Sequence, residues 1–365
     1  MLFSQPRVKP EAKPLRLTNG AIRIGGLVYG VAAEIDDPTG AVWSLLQAMD
    51  GTRGVDDIMR LMHDRFPDED PPTIRDAISQ LCESGYLEDA AAQAPTLLSE
   101  CERERYSRSQ GFYRGIDLTP RTDPWHAQHR LRSATVTVLG LGGTGGAAAL
   151  ALCASGVGRL HCVDMDRVEL SNLNRQLLYT EDDLGERKSD AAIARLAKLN
   201  SDITVTGENR QIRGPEDLRD LIDACDVFVL SADTPNDLDL WVNEECLRSN
   251  TPWVEGGYSG AHVTATAFLP GQGACHRCTK LTSAERLPAP VDQKLDLKTP
   301  PANAVTAATA ALAGNLGAHL ALSIITGIPR VTSGTVHGFD LGSLQNQFSL
   351  HHERRADCPA CSGMP

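Results

Sequence analysis

Residues 136–146, VTVLGLGGTGG, place a glycine-rich turn directly between an apolar β-branched strand and an alanine-rich helix. Gly140, Gly142 and Gly145 have GxGxxG spacing, and Gly143 stands in the same turn. This spacing permits a tight turn, close approach of backbone to a phosphate, and close packing of helix on strand. N–H groups at the helix start would face a bound anion. The segment predicts a nucleotide site, although a turn that needs glycines only for its own geometry leaves the same pattern.

Strand and helix patterns alternate along the chain after Ala134. Such alternation implies a parallel sheet with helices on both faces, and 365 residues suffice for this domain and a second, smaller one. We therefore predict an α/β fold, a Rossmann-like domain with a mostly parallel sheet. Predicted strands cover 134–140, 158–166, 203–209, 225–233 and parts of 252–271, and predicted helices cover 140–156, 186–200, 215–224, 236–249 and, as a buried helix, 304–327.

The thirteen residues 164–176, DMDRVELSNLNRQ, carry two aspartates, a glutamate, two asparagines and two arginines. Asp164 ends the second strand, where a ribose-binding carboxylate is expected, and this much would suit an NAD-dependent dehydrogenase. Asn172, Arg175 and Lys188 have no evident role with NAD. Arginine offers a planar fork to phosphate oxygens and lysine a point charge, so this set favours a triphosphate over NAD.

Asp233 lies in VLSADTPN (229–236), just past the end of another predicted strand. Ligands of such sheets bind at the carboxyl ends of the strands, and a carboxylate there suits Mg²⁺. Positive charge at an α-phosphate stabilises the transition state when a carboxylate attacks and pyrophosphate leaves. The pattern predicts a site for ATP and magnesium that activates a carboxylate.

Four of the ten cysteines form two CxxC pairs, Cys275–Cys278 and Cys358–Cys361. Four thiolates make a closed tetrahedral zinc site with no position for water, so we predict a structural zinc ion rather than a redox pair. Such a site would tie the C-terminal segment back to the domain.

The pattern of residues 1–92 predicts a separate α+β module that resembles a winged helix. Residues 93–365 are predicted to form the main domain. Short alternating strands over 15–35 precede helical segments predicted at 38–51, 54–66 and 71–89, the last with a glycine stop at Gly85. From Lys13 to Asp89 there are 14 acidic and 7 basic side chains, which opposes binding to DNA phosphates. The module would instead add an extended peptide to a strand edge, or only pack on the main domain.

The formal net charge is −12, which argues against a general binder of nucleic acid or anionic membranes. The N-terminal residues lack the apolar run of a signal peptide, and no apolar stretch reaches the length needed to cross a bilayer without interruption. We therefore expect a cytoplasmic protein with no nucleic-acid or membrane partner.

These motifs resemble the MoeB/ThiF/ubiquitin-activating (E1-like) superfamily of adenylating enzymes over about residues 99–365. The resemblance rests on RYSRSQ (105–110), the glycine turn, residues 164–176, Lys188, SADTPN (231–236) and the two CxxC pairs. It implies that ATP is held by the turn and by Asp164, Asp166, Asn172, Arg175 and Lys188, with Mg²⁺ on Asp233.

Arg108 in RYSRSQ resembles an arginine that reaches the active site of a second subunit, which implies a homodimer. Ser109 separates it from Gln110, unlike the usual pattern of the superfamily. Relatives that transfer the carboxylate to a cysteine carry it after the first CxxC. Residues 279–303 contain none here, so we expect an acyl adenylate and no enzyme thioester.

Within the superfamily, residues 227–278 and 300–311 resemble the branch that matures ribosomal peptides such as microcin C and pantocin. Residues 1–92 resemble its PqqD-like leader-peptide recognition domain. This resemblance implies that a short precursor peptide is the substrate, activated at its C-terminus or at a side chain. Adenylation of a ubiquitin-like sulfur carrier and a non-catalytic leader-binding scaffold are the alternatives.

Overall fold

A computed structural model describes residues 3–26, 30–92, 97–286 and 304–363. The chain forms two compact units, Met1–His129 and Arg130–Pro365. The overall class is α/β with a large, mostly parallel sheet in the second unit, as predicted.

The first unit contains two small antiparallel sheets and five helices among its described residues. Strand β1 pairs with β5, and β2, β3 and β4 form a three-stranded sheet in that order. The strands are β1 (Pro6–Val8), β2 (Leu15–Arg16), β3 (Ile22–Ile24), β4 (Ala33–Ile35) and β5 (Leu87–Asp89), and the helices are α1 (Ala41–Ala48), α2 (Val55–Arg65), α3 (Pro71–Glu83), α4 (Glu100–Arg105) and α5 (Ser107–Ile116).

The predicted three-helix pattern is present, and the third helix ends just before Gly85, the predicted glycine stop within 71–89. Gly85 has a φ of +77°, and a Cβ there would lie 2.2 Å from the backbone of Leu118. Only glycine accepts this conformation and this contact, so α3 stops at Glu83 and the chain turns into β5. The pairing of β5 with β1 was not predicted, because the two segments lie about 80 residues apart.

The first unit also includes more of the chain than residues 1–92. Arg114 on α5 forms ion pairs with Glu88 at 2.9 Å and with Glu11 at 3.3 Å. Lys9 is buried and donates a hydrogen bond to the Asp117 carbonyl at 2.9 Å. These contacts join residues 107–117 to the predicted module, whose boundary at 92 remains a prediction.

Helix α6 (His126–Ser133) leads into the second unit, which is built around an eight-stranded sheet. Its strands are β6 (Thr135–Leu139), β7 (Arg159–Val163), β8 (Thr204–Glu208), β9 (Val227–Leu230), β10 (Trp253–Ser259), β11 (His262–Phe268), β12 (Thr335–Asp340) and β13 (Gln347–His351), and its helices are α7 (Gly143–Ala154), α8 (Lys188–Leu199), α9 (Arg219–Asp223), α10 (Leu238–Ser249), α11 (His276–Arg286) and α12 (Ala307–Thr326).

The sheet order is β13-β12-β11-β10-β9-β6-β7-β8. Strands β8, β7, β6, β9 and β10 run parallel, and β11 to β13 continue the sheet antiparallel. All four residues of β9 are buried, as expected for a central parallel strand covered on both faces. The order reverses beside β6, which leaves a crevice at the carboxyl ends of β6 and β9.

Helix α12 is long and apolar enough to cross a membrane by length and composition, but 61% of that stretch is buried within the domain. It packs on α7, β10 and β11, which confirms the predicted buried helix. The approach to α7 is very close: a Cβ on Gly314 would lie 2.1 Å from the Thr144 carbonyl oxygen. Glycine at this crossing brings α12 against the start of α7, the helix that follows the glycine turn.

Gly314→Ala and Gly317→Ala form a matched pair on α12. The nearest atom to a Cβ on Gly317 is 3.6 Å away, so alanine fits there and should be neutral or stabilising by up to about 1 kcal/mol. Alanine at 314 should cost about 1–3 kcal/mol because backbone must move. Thermal and urea unfolding of both variants measures the difference, and equal midpoints would contradict this helix crossing.

Candidate active site

A cavity of about 590 Å³ lies at the carboxyl ends of β6, β7, β9 and β10. The structure brings together residues that the sequence analysis selected from four separate segments. Those that line the cavity are Gly140, Gly142, Gly143, Asp164, Asp166, Asn172, Arg175, Lys188 and Asp233.

The glycine turn forms one wall of this cavity. Gly140 has a φ of +90°, and a Cβ there would lie 2.7 Å from the backbone of Ser231 and Ala232. Gly145 is not among the lining residues. A Cβ on it would lie 1.8 Å from the Gly140 carbonyl oxygen, so its role is to let α7 pack on the turn. Gly142 has open space instead, with its nearest contact 3.9 Å away at Gln176.

Asp164 holds the turn in place from the end of β7. Its Oδ2 accepts a hydrogen bond from the Leu141 N–H at 2.6 Å, and its Oδ1 accepts one from the Asp166 N–H at 2.8 Å. The Tyr179 hydroxyl donates to the Leu141 carbonyl at 3.0 Å. Because each carboxylate oxygen can accept more than one hydrogen bond, Asp164 can fix the turn and still bind a ribose hydroxyl.

Lys188 stands at the first position of α8 and is almost fully buried, with 5% of the residue exposed. Its Nζ lies 2.9 Å from Oδ2 of Asp166, and its backbone N–H donates to the Asp166 carbonyl at 3.0 Å. A buried ammonium needs a counter-charge, which Asp166 provides in this structure. A phosphate group in the cavity would offer a second anionic partner.

Arg175, Tyr258 and Asp233 lie close together on the cavity wall, and Arg175 also packs beside Gly143 of the turn. The Arg175 guanidinium donates to the Ser171 carbonyl at 2.9 Å, and the same side chain is hydrogen bonded to Tyr258. Burial and the charge of Asp233 raise the pKa of Tyr258, and Arg175 partly offsets them. Asn172 is buried and its Oδ1 accepts from the Glu169 N–H at 3.2 Å, so it shapes the loop.

A second polar group on the cavity wall was not predicted from the sequence. Asp239 on α10 and Glu255 on β10 both line the cavity. Buried His276 lies between them, with Nε2 3.2 Å from Asp239 Oδ2 and Nδ1 3.5 Å from Glu255 Oε1. Lys280 forms a further ion pair with Asp239.

Burial disfavours the charged form of His276, but the Glu255 and Asp239 carboxylates outweigh this effect and raise its pKa to about 9. Asp239 is also buried in part, yet hydrogen bonds from His276 and Lys280 lower its pKa. Two positions were the available signals: Asp239 lies in the first turn of α10, and Glu255 is the last residue of β10 that pairs with β9. Arg210 and Ile212 on the loop after β8 also line the cavity and were not predicted.

The four predicted zinc ligands come together as a buried cluster. The Sγ–Sγ distances are 3.8 Å for Cys275–Cys278, 3.7 Å for Cys275–Cys358 and 3.5 Å for Cys278–Cys361. Zinc–sulfur bonds of about 2.3 Å in a tetrahedron place sulfur atoms about 3.8 Å apart, so the cluster fits a closed zinc site. Arg108 lies on α5, where it is exposed, and its predicted role in a second subunit remains a prediction.

Residues 117–360 match the ThiF family, and the chain belongs to that family. The sulfur carrier protein ThiS adenylyltransferase of Escherichia coli K12 is 33% identical over 239 residues, which are 65% of this chain and 89% of that protein.

Two solved structures share the fold over nearly the whole chain. The crystal structure of E. coli MccB superposes with a TM-score of 0.81 at 23% identity, covering 98% of this chain and 96% of that one. PaaA gives a TM-score of 0.71 at 23% identity, covering 95% and 100%. This likeness confirms the predicted α/β fold class over nearly the whole chain.

Purified protein should contain about one zinc ion per chain, because four buried thiols at these distances form a complete ligand set. Cys358→Ser should lose most of the metal and unfold at a lower temperature, as measured by elemental analysis and thermal unfolding. Cys101→Ser, at an exposed cysteine outside the cluster, is the matched control. Full zinc content in Cys358→Ser would contradict the assignment.

Proposed function

We propose that this protein uses Mg-ATP to adenylate a carboxylate on a short, ribosomally made precursor peptide. The observation that carries the proposal is the convergence of Arg175, Lys188 and Asp233 on the cavity formed by the glycine turn. Membership of the ThiF family supports adenylation. The shared fold supports a peptide substrate, since MccB is described as a microcin C7 biosynthetic enzyme and was crystallised with ATP and with MccA.

In the proposed reaction, a carboxylate oxygen of the peptide attacks the α-phosphorus of ATP. The bond from that phosphorus to the oxygen bridging to the β-phosphate breaks, and pyrophosphate leaves with the electron pair. Lys188 and Arg175 would neutralise the charge that accumulates on the phosphate oxygens. Asp233, exposed at the cavity mouth, would hold the Mg²⁺ that accompanies the triphosphate.

Lys188 must exchange partners for this chemistry. Its Nζ is paired with Asp166, which is half-exposed at the cavity edge. When phosphate binds, the ammonium can contact it while Asp166 turns toward the ribose or the metal. The buried position of Lys188 keeps its charge poorly screened, so its effect on a nearby phosphate is stronger than that of a surface lysine.

Two other functions are compatible with some of the same features. Adenylation of a sulfur carrier protein is the activity named for the ThiS relative, whose match covers 65% of this chain. A non-catalytic leader-binding scaffold would not need the phosphate-binding set, and here that set is complete. A homodimer in which Arg108 reaches the partner's cavity is part of the proposal, as is a cytoplasmic location.

Lys188→Ala and Asp233→Asn should each reduce peptide-dependent ATP–pyrophosphate exchange by at least about 100-fold, because each removes an interaction with the reacting triphosphate. Short peptides encoded beside the gene serve as substrates. Lys198→Ala and Asp190→Asn change exposed residues of α8 and should retain activity. Wild-type exchange in both cavity variants would refute the proposed site, and exchange with a Gly-Gly-terminated carrier protein alone would favour the second function.

The first unit offers an edge where a leader peptide could add as a strand. Strand β2 offers a short edge, because it has only two residues. The guanidinium of its Arg16 lies over the Trp43 ring, 4.9 Å from the ring centroid. Strand β4 is longer, and within the described residues it pairs only with β3. We therefore place the peptide on β4, where main-chain hydrogen bonds supply affinity.

Hydrogen–deuterium exchange of the full-length protein tests this placement. A peptide that supports ATP–pyrophosphate exchange should slow exchange of amides within 31–37, because strand addition protects edge amides. ATP alone should leave these amides unchanged and protect the turn at 140–146. Peptide-induced protection confined to residues outside the first unit would contradict a leader-binding role for β4.

A further inference from the structure

Side chains of opposite charge reach the cavity from different elements. Lys188 and Arg175 approach it beside the glycine turn, whereas Glu255 and Asp239 face it from β10 and α10. A substrate carboxylate placed against Glu255 would be repelled, because two carboxylates at contact distance cannot both stay ionised without cost. The reacting carboxylate therefore belongs on the side of the cationic residues, and another part of the substrate faces Glu255.

Glu255 is held in position by the residues behind it. His276 is buried and faces Oε1 of Glu255 at 3.5 Å, while its other nitrogen lies 3.2 Å from Asp239. The His276 ring is packed by Trp253 and Phe268, at centroid distances of 5.4 and 5.3 Å. These contacts fix the carboxylate from one side, and 31% of the Glu255 side chain remains exposed toward the cavity.

The acidic residues of this wall do not form a cluster of three or more metal-ligating side chains among the residues that the structure describes. Within 3–26, 30–92, 97–286 and 304–363, the four thiols are the one group of three or more closely spaced metal-ligating side chains. Asp239 is already engaged by His276 and Lys280. Glu255 is thus a fixed hydrogen-bond acceptor that lines the cavity without an evident role toward the nucleotide.

We propose that Glu255 determines substrate specificity by accepting a hydrogen bond from a side-chain N–H group next to the carboxylate that is adenylated. This inference rests on the proposed function. The shared chemistry is an N–H donor, supplied by a carboxamide or by an ammonium group. An acceptor that the bound substrate shields from water and leaves without a donor is costly, so such a site disfavours apolar analogues.

The test uses a peptide that supports ATP–pyrophosphate exchange in the wild-type protein. The residue next to the activated carboxylate is made Asn, Lys or Leu, which offer a carboxamide, an ammonium and no donor. The wild type should prefer one of the two donor peptides over the Leu peptide by about ten- to hundredfold in kcat/KM. Which donor is preferred distinguishes the two sources.

Glu255→Ala should remove that preference, mainly by slowing the donor peptide, while ATP affinity measured by calorimetry and the Mg²⁺ dependence of exchange stay unchanged. Glu255→Gln should keep part of the preference that Glu255→Ala loses, because the Gln amide oxygen can still accept a hydrogen bond from the ammonium or carboxamide donor. Glu244→Gln, an exposed glutamate on α10 outside the cavity lining, is the matched control.

Three results would overturn the inference. A wild type that uses all three peptides equally removes the need for a donor. A preference that survives in Glu255→Ala assigns recognition to another residue, and a raised Mg²⁺ requirement in Glu255→Gln makes Glu255 a metal ligand. Absence of exchange with every peptide in the wild type is the separate result that refutes the proposed function and this inference with it.

Discussion

The pair of backbone hydrogen bonds accepted by Asp164 is the constraint on which the cavity depends. One carboxylate receives the N–H of Leu141, inside the glycine turn, and the N–H of Asp166, at the start of the polar loop. The turn between β6 and α7 and the loop after β7 are thereby fixed to each other. Charge-assisted hydrogen bonds are stronger than neutral ones, and burial strengthens them further, so both walls of the nucleotide side keep their geometry without a ligand.

Fixing the turn has a consequence for the position of the cations. The loop that starts at Asp166 carries Asn172 and Arg175, and its return to α8 delivers Lys188 beside Asp166. Two glycine contacts close the other side: α7 packs on the turn at Gly145, and α12 packs on α7 at Gly314. Both leave no room for a methyl group. The site is therefore built on close backbone contacts, and the long charged side chains project from a rigid frame.

The sequence predicted the parts of this frame that depend on local pattern. The glycine turn, the parallel strands on either side of it and the buried helix at 304–327 each carry their signal within one segment. The residues after each strand end were also predictable, because parallel strands bring their carboxyl ends to one edge of the sheet. Strand β1, the extent of the first unit and strands β12 and β13 were not predicted, since their pairing depends on partners far away in the chain. The Glu255–His276 contact could not be predicted either, because His276 lies between the two cysteines of a CxxC pair and carries no sequence signal of its own.

That spacer position links the cluster of thiols to the cavity. His276 follows Cys275 directly, at the start of α11, and its backbone N–H donates to the Asn243 side chain on α10 at 2.9 Å. A metal held by the four thiols would fix the first turn of α11, and with it the imidazole that positions Glu255 and Asp239. Cys358 and Cys361 lie about 80 residues after the first pair, in the C-terminal segment. That segment would therefore also help to hold α11 in place. A zinc site in this position would therefore also support the Glu255–Asp239 side of the cavity, although none of the four cysteines is among the residues that line it.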